Sequence, residues 1–191
     1  HGIPDEVARV TEREGIACLG RLNGMFAIAI DDVREDALYL ARDRIGVKPL
    51  FVHDDGQRLL FGSEPKALWP ALGGRKPGMC LEAIHHYLTF NYIPAPWTAY
   101  EGVRHVMPGT WHRYTRGRHV QTQRWWSLAD QREQDFAFGD WTEEFMALLD
   151  DATRIRLRAD VPFGAFLSGG VDSSTIVGMM ARHVKEPVKT F

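Results

Sequence analysis

The segment with the clearest capacity for chemistry is residues 168–174, which read Ser-Gly-Gly-Val-Asp-Ser-Ser. An apolar stretch, 163–167, precedes it, and a helical pattern over 175–183 follows it. Adjacent glycines let the backbone adopt positive φ and approach a ligand closely. The amides of a first helical turn attract an anion, and the carboxylate of Asp172 suits a hard cation that bridges phosphate oxygens. The segment therefore predicts a pyrophosphate cradle.

Two other interpretations of this segment compete with a pyrophosphate cradle. The common phosphate loop requires Gly-x-x-x-x-Gly-Lys before Ser or Thr, and no lysine follows the glycines here. A plain strand-to-helix turn would use the glycines as a bend and Asp or Ser as a helix cap. The full Ser-Gly-Gly-x-Asp-Ser string arises by chance in roughly one such chain in several thousand at average residue usage. Its rarity and its strand–loop–helix context favour the phosphate site.

The elements ahead of this loop predict two regions. The first is rich in strands whose neighbours along the chain are antiparallel, with an Asp55-Gly56 hairpin turn. The apolar run 25–30 predicts a strand buried on both faces. Helices are expected over 5–19, 81–90 and 141–158, and strands over 25–30, 37–41, 47–52, 58–62, 103–107, 110–114 and 119–126. The predicted organisation is a domain over 1–126, a polar linker over 127–140 and a second domain over 141–191.

Composition excludes several classes of protein. The chain is 45% hydrophobic and 25% charged, which is ordinary for a globular domain. A net charge of -2 without a basic block argues against nucleic acid, and no apolar stretch approaches the roughly 20 residues of a membrane span. The sequence spacing of the histidines shows no ligand-like cluster. Cys18 and Cys80 are expected to be buried thiols in a reducing, cytoplasmic setting.

The quoted residues resemble a known family. Residues 168–174 are similar to the PP-loop of ATP pyrophosphatases, and 160–174 resemble the glutamine-hydrolysing asparagine synthetases specifically. The segments 22–27, 41–50 and 61–68 resemble that family's Leu-Asn-Gly-Met-Phe, Arg-Asp-x-x-Gly-x-Lys-Pro-Leu and Ser-Glu-x-Lys-Ala-Leu blocks, in the same order. The chain begins at His1 and ends in an apparent strand, so we interpret it as an internal piece of a longer enzyme.

The resemblance implies a fold and a set of site residues. The expected fold class is α/β: an α+β glutaminase portion of the N-terminal-nucleophile type, then the start of a parallel α/β PP-loop domain. Asp172 is the candidate Mg²⁺ contact. The residues that match the family's loop for ATP and pyrophosphate are Leu167, Ser168, Gly169, Gly170, Asp172, Ser173 and Ser174.

The resemblance also implies a reaction. ATP adenylates the side-chain carboxylate of aspartate, and ammonia released from glutamine displaces AMP to give asparagine. The family's cysteine nucleophile lies upstream of His1, so this piece alone is expected to be inactive. The family is commonly dimeric, which makes a homodimer the expected assembly.

Other possibilities stay open. Arg42, Asp43 and Lys48 are expected to line the glutaminase core or the domain contact; the equal alternative is an ion pair of Arg42 with Asp43 that stabilises a strand end. A β-lactam synthetase or a related natural-product ligase would share both domains but have a silent glutaminase. A non-catalytic module with a decayed PP-loop would bind no ATP-Mg²⁺.

Overall fold

The chain forms two compact units, His1–Gln131 and Arg132–Phe191. The computed structural model describes residues 5–131, 137–159 and 161–191. Part of the predicted linker, 132–136, and Asp160 of the family motif lie outside the described residues. No helix within the described ranges is long and apolar enough to cross a membrane.

The first unit opens with helix α1 (Asp5–Glu14), followed by a 3-10 turn at Gly15–Arg21. The helix predicted over 5–19 is therefore too long. Gly15 has φ +61°, which lies outside the helical region and ends α1. The turn that follows buries Cys18 and Leu19, so the apolar residues at the end of the predicted helix pack through the turn instead.

The remainder of the first unit is built from seven strands and one further helix, α2 (Leu81–Phe90). The strands are β1 (Ala27–Asp32), β2 (Ala37–Arg42), β3 (Phe51–Asp54), β4 (Leu59–Gly62), β5 (Val103–His105), β6 (Thr110–Thr115) and β7 (Arg118–Arg124). They form a four-stranded sheet in the order β1-β2-β6-β7 and a three-stranded sheet in the order β4-β3-β5. Every pairing in both sheets is antiparallel, which confirms the predicted orientation.

Strand β1 corrects the prediction of a strand buried on both faces. It pairs only with β2 and therefore lies at an edge of its sheet. Ile28 is buried, whereas its neighbours Ala27 and Ala29 are exposed. The alternation shows that one face packs on the core while the other face is open, so the apolar run reflects small residues on an open face.

Two apolar clusters hold the first unit together. On one face of the four-stranded sheet, Leu19 packs with Ile28, Tyr39 and Trp111. On the other face, a cluster joins the two sheets and contains Leu40, Leu50, Val52, Val106 and Tyr114. The two central strands of the four-stranded sheet, β2 and β6, are thus covered on both sides, whereas the edge strands β1 and β7 are partly or fully exposed.

The second unit contains two helices and two short strands. They are α3 (Phe138–Arg156), β8 (Gly164–Ala165), α4 (Val171–His183) and β9 (Lys189–Thr190). Strands β8 and β9 pair in parallel. Helix α3 confirms the predicted amphipathic helix with a shift of a few residues, and Asp150 on α3 binds both Arg182 (3.2 Å) and His183 (3.0 Å) of α4.

Candidate phosphate-binding site

The predicted cradle is a loop between β8 and α4. Its start is fixed by β9, because the Leu167 amide donates to the Phe191 carbonyl (2.9 Å) and the Phe191 amide donates to the Ala165 carbonyl (3.1 Å). The end of the loop is fixed by α4, which begins at Val171, a few residues before the helical pattern over 175–183. The loop therefore spans a strand end and a helix start, as the sequence predicted.

The two glycines of the loop adopt different backbone conformations. Gly169 has φ +82°, a conformation that side chains disfavour. Gly170 is the N-cap of α4, with φ -75° and ψ 161°. No side chain caps the helix, so the alternative of Asp or Ser as a helix cap is wrong. The amides of the first turn have no acceptor one turn back and are left for a ligand.

Two hydroxyl groups bracket the glycines. The Ser168 and Ser173 Oγ atoms lie 3.1 Å apart, although they are five positions apart in sequence. The Ser173 hydroxyl also donates to the Gly170 carbonyl at 3.1 Å, and the Ser174 amide donates to the same carbonyl at 3.1 Å. These bonds fold the loop back against the first turn of α4.

The carboxylate of Asp172 is exposed in the first turn of α4. It makes no hydrogen bond or ion pair with any side chain of the described part of the second unit, residues 137–159 and 161–191. Those residues also contain no group of three or more His, Cys, Asp or Glu that would hold a metal. The donor set therefore fits a cation that is shared with phosphate oxygens and does not fit a metal held by protein ligands alone.

All seven residues predicted from the sequence to bind ATP and pyrophosphate lie between Leu167 and Ser174, in one continuous strand–loop–helix element. Their side chains are exposed or half-buried, so the loop is open to a ligand. Their individual roles stay predictions.

Arg42 is buried at the end of β2 in the first unit. Its guanidinium donates to three backbone carbonyls: Lys48 (2.8 Å), Val106 (2.8 Å) and Gly46 (2.7 Å). Gly46 has φ +73°, and a Cβ there would lie 2.8 Å from Pro108 Cγ. Arg42 thus ties the loop after β2 to the chain after β5.

Asp43 is also buried, and it accepts from the amides of Val47 (2.9 Å), Lys48 (2.9 Å) and Phe26 (3.2 Å). Burial favours a raised pKa for Asp43, but the amides led by Lys48 and Val47 outweigh burial and lower it. No ion pair joins Arg42 to Asp43 among the described residues, so the ion-pair alternative is wrong. The two charges are satisfied separately by the backbone. Asp43 also explains why β3 begins at Phe51 and not at the predicted 47, since the preceding amides bind its carboxylate.

The two cysteines differ. Cys18 is buried as predicted, with its Sγ 3.4 Å from Thr11 Oγ1. Cys80 is only half-buried, at the N-cap of α2.

A group of three rings, on β6 and β7, was not predicted from the sequence. His112 and Tyr114 on β6 and His119 on β7 lie with ring centroids 5.4–6.3 Å apart. His112 and Tyr114 are two positions apart on one strand, and a period of two places them on the same face. The sequence therefore shows that His112 and Tyr114 share a face of one strand, but it does not show that β7 brings His119 beside them.

Residues 5–126 match the family model described as the glutamine amidotransferase domain, which is more than half of the chain. The chain belongs to the glutamine amidotransferase family. Residues 144–191 of this amidotransferase-family chain match a second model, described as asparagine synthase. The two matches occur in the predicted order and confirm the resemblance to glutamine-hydrolysing asparagine synthetases.

Curated relatives support the same assignment. A putative glutamine-hydrolysing asparagine synthetase 2 of Methanocaldococcus jannaschii is 33% identical over 176 residues, which are 91% of this chain and 34% of that protein. The asparagine synthetase 3 of Bacillus subtilis is 35% identical over 183 residues, covering 91% of this chain and 29% of that protein. Amidase chry2 of Gibberella zeae is 32% identical over 178 residues, 92% of this chain and 26% of that protein. The amidotransferase-family chain thus spans about a third or less of these relatives.

Proposed function

We propose that the complete protein is a glutamine-dependent asparagine synthetase. ATP adenylates the aspartate side chain with release of pyrophosphate, and ammonia from glutamine then displaces AMP. The observation that carries the proposal is the uncapped start of α4 directly after Ser168-Gly169-Gly170. This loop lies in the part that matches asparagine synthase and follows the part that matches the amidotransferase domain.

In this proposal the loop holds the phosphates of ATP. The backbone at Leu167, Gly169 and Gly170 and the hydroxyls of Ser168, Ser173 and Ser174 orient the chain of phosphates. Bound Mg²⁺, held by Asp172, supplies positive charge that stabilises the leaving pyrophosphate. The amides of the first turn of α4 contribute to the same stabilisation without moving, because they are fixed by the helix.

The proposed domain division follows the sequence prediction. Residues 1–126 supply the later part of a glutaminase, 127–140 the linker and 141–191 the first part of the synthetase. We extend the family's homodimer and cytoplasmic setting to the complete protein. Neither nucleic acid nor a membrane takes part in the proposed reaction.

The synthetase half is tested by exchange of labelled pyrophosphate into ATP, measured on the complete protein. We expect exchange that depends on aspartate and Mg²⁺. The acceptor series includes other amino acid carboxylates, because the Gibberella zeae relative is named an amidase and not an asparagine synthetase. Exchange with another acceptor alone would replace aspartate in the proposal. Failure to bind ATP-Mg²⁺ at all would indicate a non-catalytic module.

The glutaminase half is tested by the N-terminal residue of the mature complete protein, determined by mass spectrometry. Cysteine at the first position, together with glutamine hydrolysis, would support glutamine as the nitrogen donor. Any other residue would indicate a silent first domain, as in ring-closing synthetases.

A further inference from the structure

Helix α2 in the first unit turns its apolar residues away from the protein. Ala83 is the one buried residue of the helix, and on the same side the ring of His86 lies 5.9 Å from the ring of Trp97. Leu81 and Leu88 are each 79% exposed. A surface helix ordinarily buries its apolar stripe against the core. In α2 the side that would be expected to pack faces solvent instead.

The outward apolar residues form a stripe, which we call the α2 stripe. It consists of Leu81, Ile84, Tyr87 and Leu88, whose spacing places them within about a third of the circumference of an α-helix. Leu81 and Leu88 are seven positions apart and therefore lie about two turns apart along the stripe. The one formal charge of α2, on Glu82, lies about 100° round the helix from Leu81, away from Ile84. The stripe therefore carries no charge that would repel a second apolar surface.

The exposed apolar surface of α2 and its flanks is large. The large apolar side chains that are between 45% and 79% exposed there are Met79, Leu81, Tyr87, Leu88, Phe90 and Tyr92. Since a large side chain offers roughly 150–250 Å², their exposed parts amount to on the order of 700 Å². The largest apolar patch of a typical monomer is about 300–600 Å². Each partner in a standard interface buries about 800 Å². The surface is therefore larger than a monomer ordinarily leaves open and close to the size that a stable dimer needs.

We infer that the α2 stripe is the surface through which two copies of this protein form a homodimer, with the two α2 helices antiparallel about a two-fold axis. A two-fold contact requires a surface that is complementary to itself. The stripe meets this requirement, because an antiparallel pairing sets Leu81 of one copy against Leu88 of the other at both ends, with Ile84 near the axis. The two helix dipoles are then opposed, which is also favourable.

The inference rests on the homodimer of the proposed function and goes beyond it by naming the surface and the pairing. It does not depend on the ligase reaction.

The test is sedimentation velocity of the complete protein over a range of micromolar concentrations, which gives the dissociation constant of the dimer. Leu81→Lys and Leu88→Glu each set a charge against a leucine. Each substitution occurs twice in a two-fold contact, so each should raise the dissociation constant at least about 100-fold. Both leucines are exposed, so the fold tolerates the changes. Val33→Glu is the control, since Val33 is exposed in the turn between β1 and β2, and this variant should dimerise like the parent protein.

The two substitutions combined in one chain test the antiparallel pairing. In this double variant the new ammonium group of each copy lies against the new carboxylate of the other. The opposite charges should therefore restore at least about tenfold of the lost affinity.

Three results would overturn the inference: a monomeric parent protein, an unchanged dimer in both single variants, or a double variant no better than the single ones. The last result, with single variants that lower the free energy of unfolding of a monomer, would show that another part of the complete chain covers the stripe. Pyrophosphate exchange by the same proteins tests the ligase reaction separately. Exchange without a dimer would overturn this inference alone, and a dimer without exchange would overturn the proposed reaction alone.

Discussion

The two units use their charged motif residues in opposite ways. In the first unit, Arg42 and Asp43 are buried, and backbone groups of the following loop and of neighbouring chain segments satisfy them. In the second unit, Ser168 and Asp172 are exposed, and the helix amides beside them have no cap. Polar residues with backbone partners hold a fold together. Polar residues without partners are available to a ligand.

This contrast separates two kinds of measurement. Substitutions in the Arg42 and Asp43 loop should act on the free energy of unfolding of the first unit. Substitution of an exposed polar side chain in the loop of the second unit should lower ATP–pyrophosphate exchange while leaving the free energy of unfolding nearly unchanged.

The largest effect is expected for Asp43→Ala. It leaves three amides of the buried loop region without an acceptor. A buried amide that loses its partner costs about 1–3 kcal/mol, so the loss for three amides is at least about 3 kcal/mol. Denaturant unfolding of the 191-residue chain, followed by tryptophan fluorescence, measures the loss.

Asp31→Ala is the matched control for Asp43→Ala. Asp31 is exposed on β1, and its carboxylate makes no hydrogen bond or ion pair within the described part of the chain. Its replacement should change the free energy of unfolding by less than about 0.5 kcal/mol. Equal effects of the two substitutions would remove the structural role assigned to Asp43.

Asp172→Ala is the corresponding test of the second unit. In the complete protein it should lower ATP–pyrophosphate exchange at least about 100-fold, equivalent to about 3 kcal/mol, because charge on the leaving pyrophosphate loses its counter-ion. Glutamine hydrolysis should be largely unaffected. Asp140→Ala changes another exposed first-turn aspartate, in α3, and should leave exchange intact. Unchanged exchange in Asp172→Ala would exclude Asp172 from the mechanism.

Local structure in both units was accessible from the sequence because it depends on short-range rules. The hairpin at Asp55-Gly56, helix α2 and the loop at Gly169 all follow from turn chemistry and periodicity. The helix predicted over 5–19 failed where Gly15 turns to positive φ, which the apolar spacing does not reveal.

Long-range pairing was not accessible. Strands β2 and β3 are neighbours in sequence but belong to different sheets, and β2 pairs with the distant β6. The separate backbone partners of Arg42 and Asp43 and the contact of His112 with His119 both depend on that topology. Residue spacing alone left an Arg–Asp ion pair open as one alternative.

The buried polar groups also make the first unit sensitive to acid. The pKa of His112 is lowered from 6.5 to about 4 by burial, with a smaller contribution from His119. Because the folded chain binds the proton of His112 less readily than the unfolded chain does, the folded state keeps its full stability above pH 6.5, the ordinary pKa of histidine. Stability is lost as the pH falls from there towards 4. The loss amounts to about 3 kcal/mol at most. Between pH 7 and 4 the free energy of unfolding of the parent chain should fall by up to about 3 kcal/mol more than that of His112→Leu. Parallel profiles would contradict the burial of a neutral imidazole.

The smallest expected effect compares two glycines of the second unit that both face open space. A Cβ at Gly169 or at Gly178 would meet no atom within 4 Å, so neither substitution causes a clash with surrounding residues. Gly169 has φ +82°, whereas Gly178 lies inside α4. Gly169→Ala should therefore destabilise by about 1–2 kcal/mol and weaken ATP binding in the complete protein, because the loop must leave its left-handed conformation. Gly178→Ala should instead stabilise by up to about 1 kcal/mol, since alanine favours a helix. Thermal unfolding measures the change in stability of both variants, and ATP titration of the complete protein measures the change in affinity. A change in stability of the same sign for both variants would show that the conformation of the loop does not depend on Gly169.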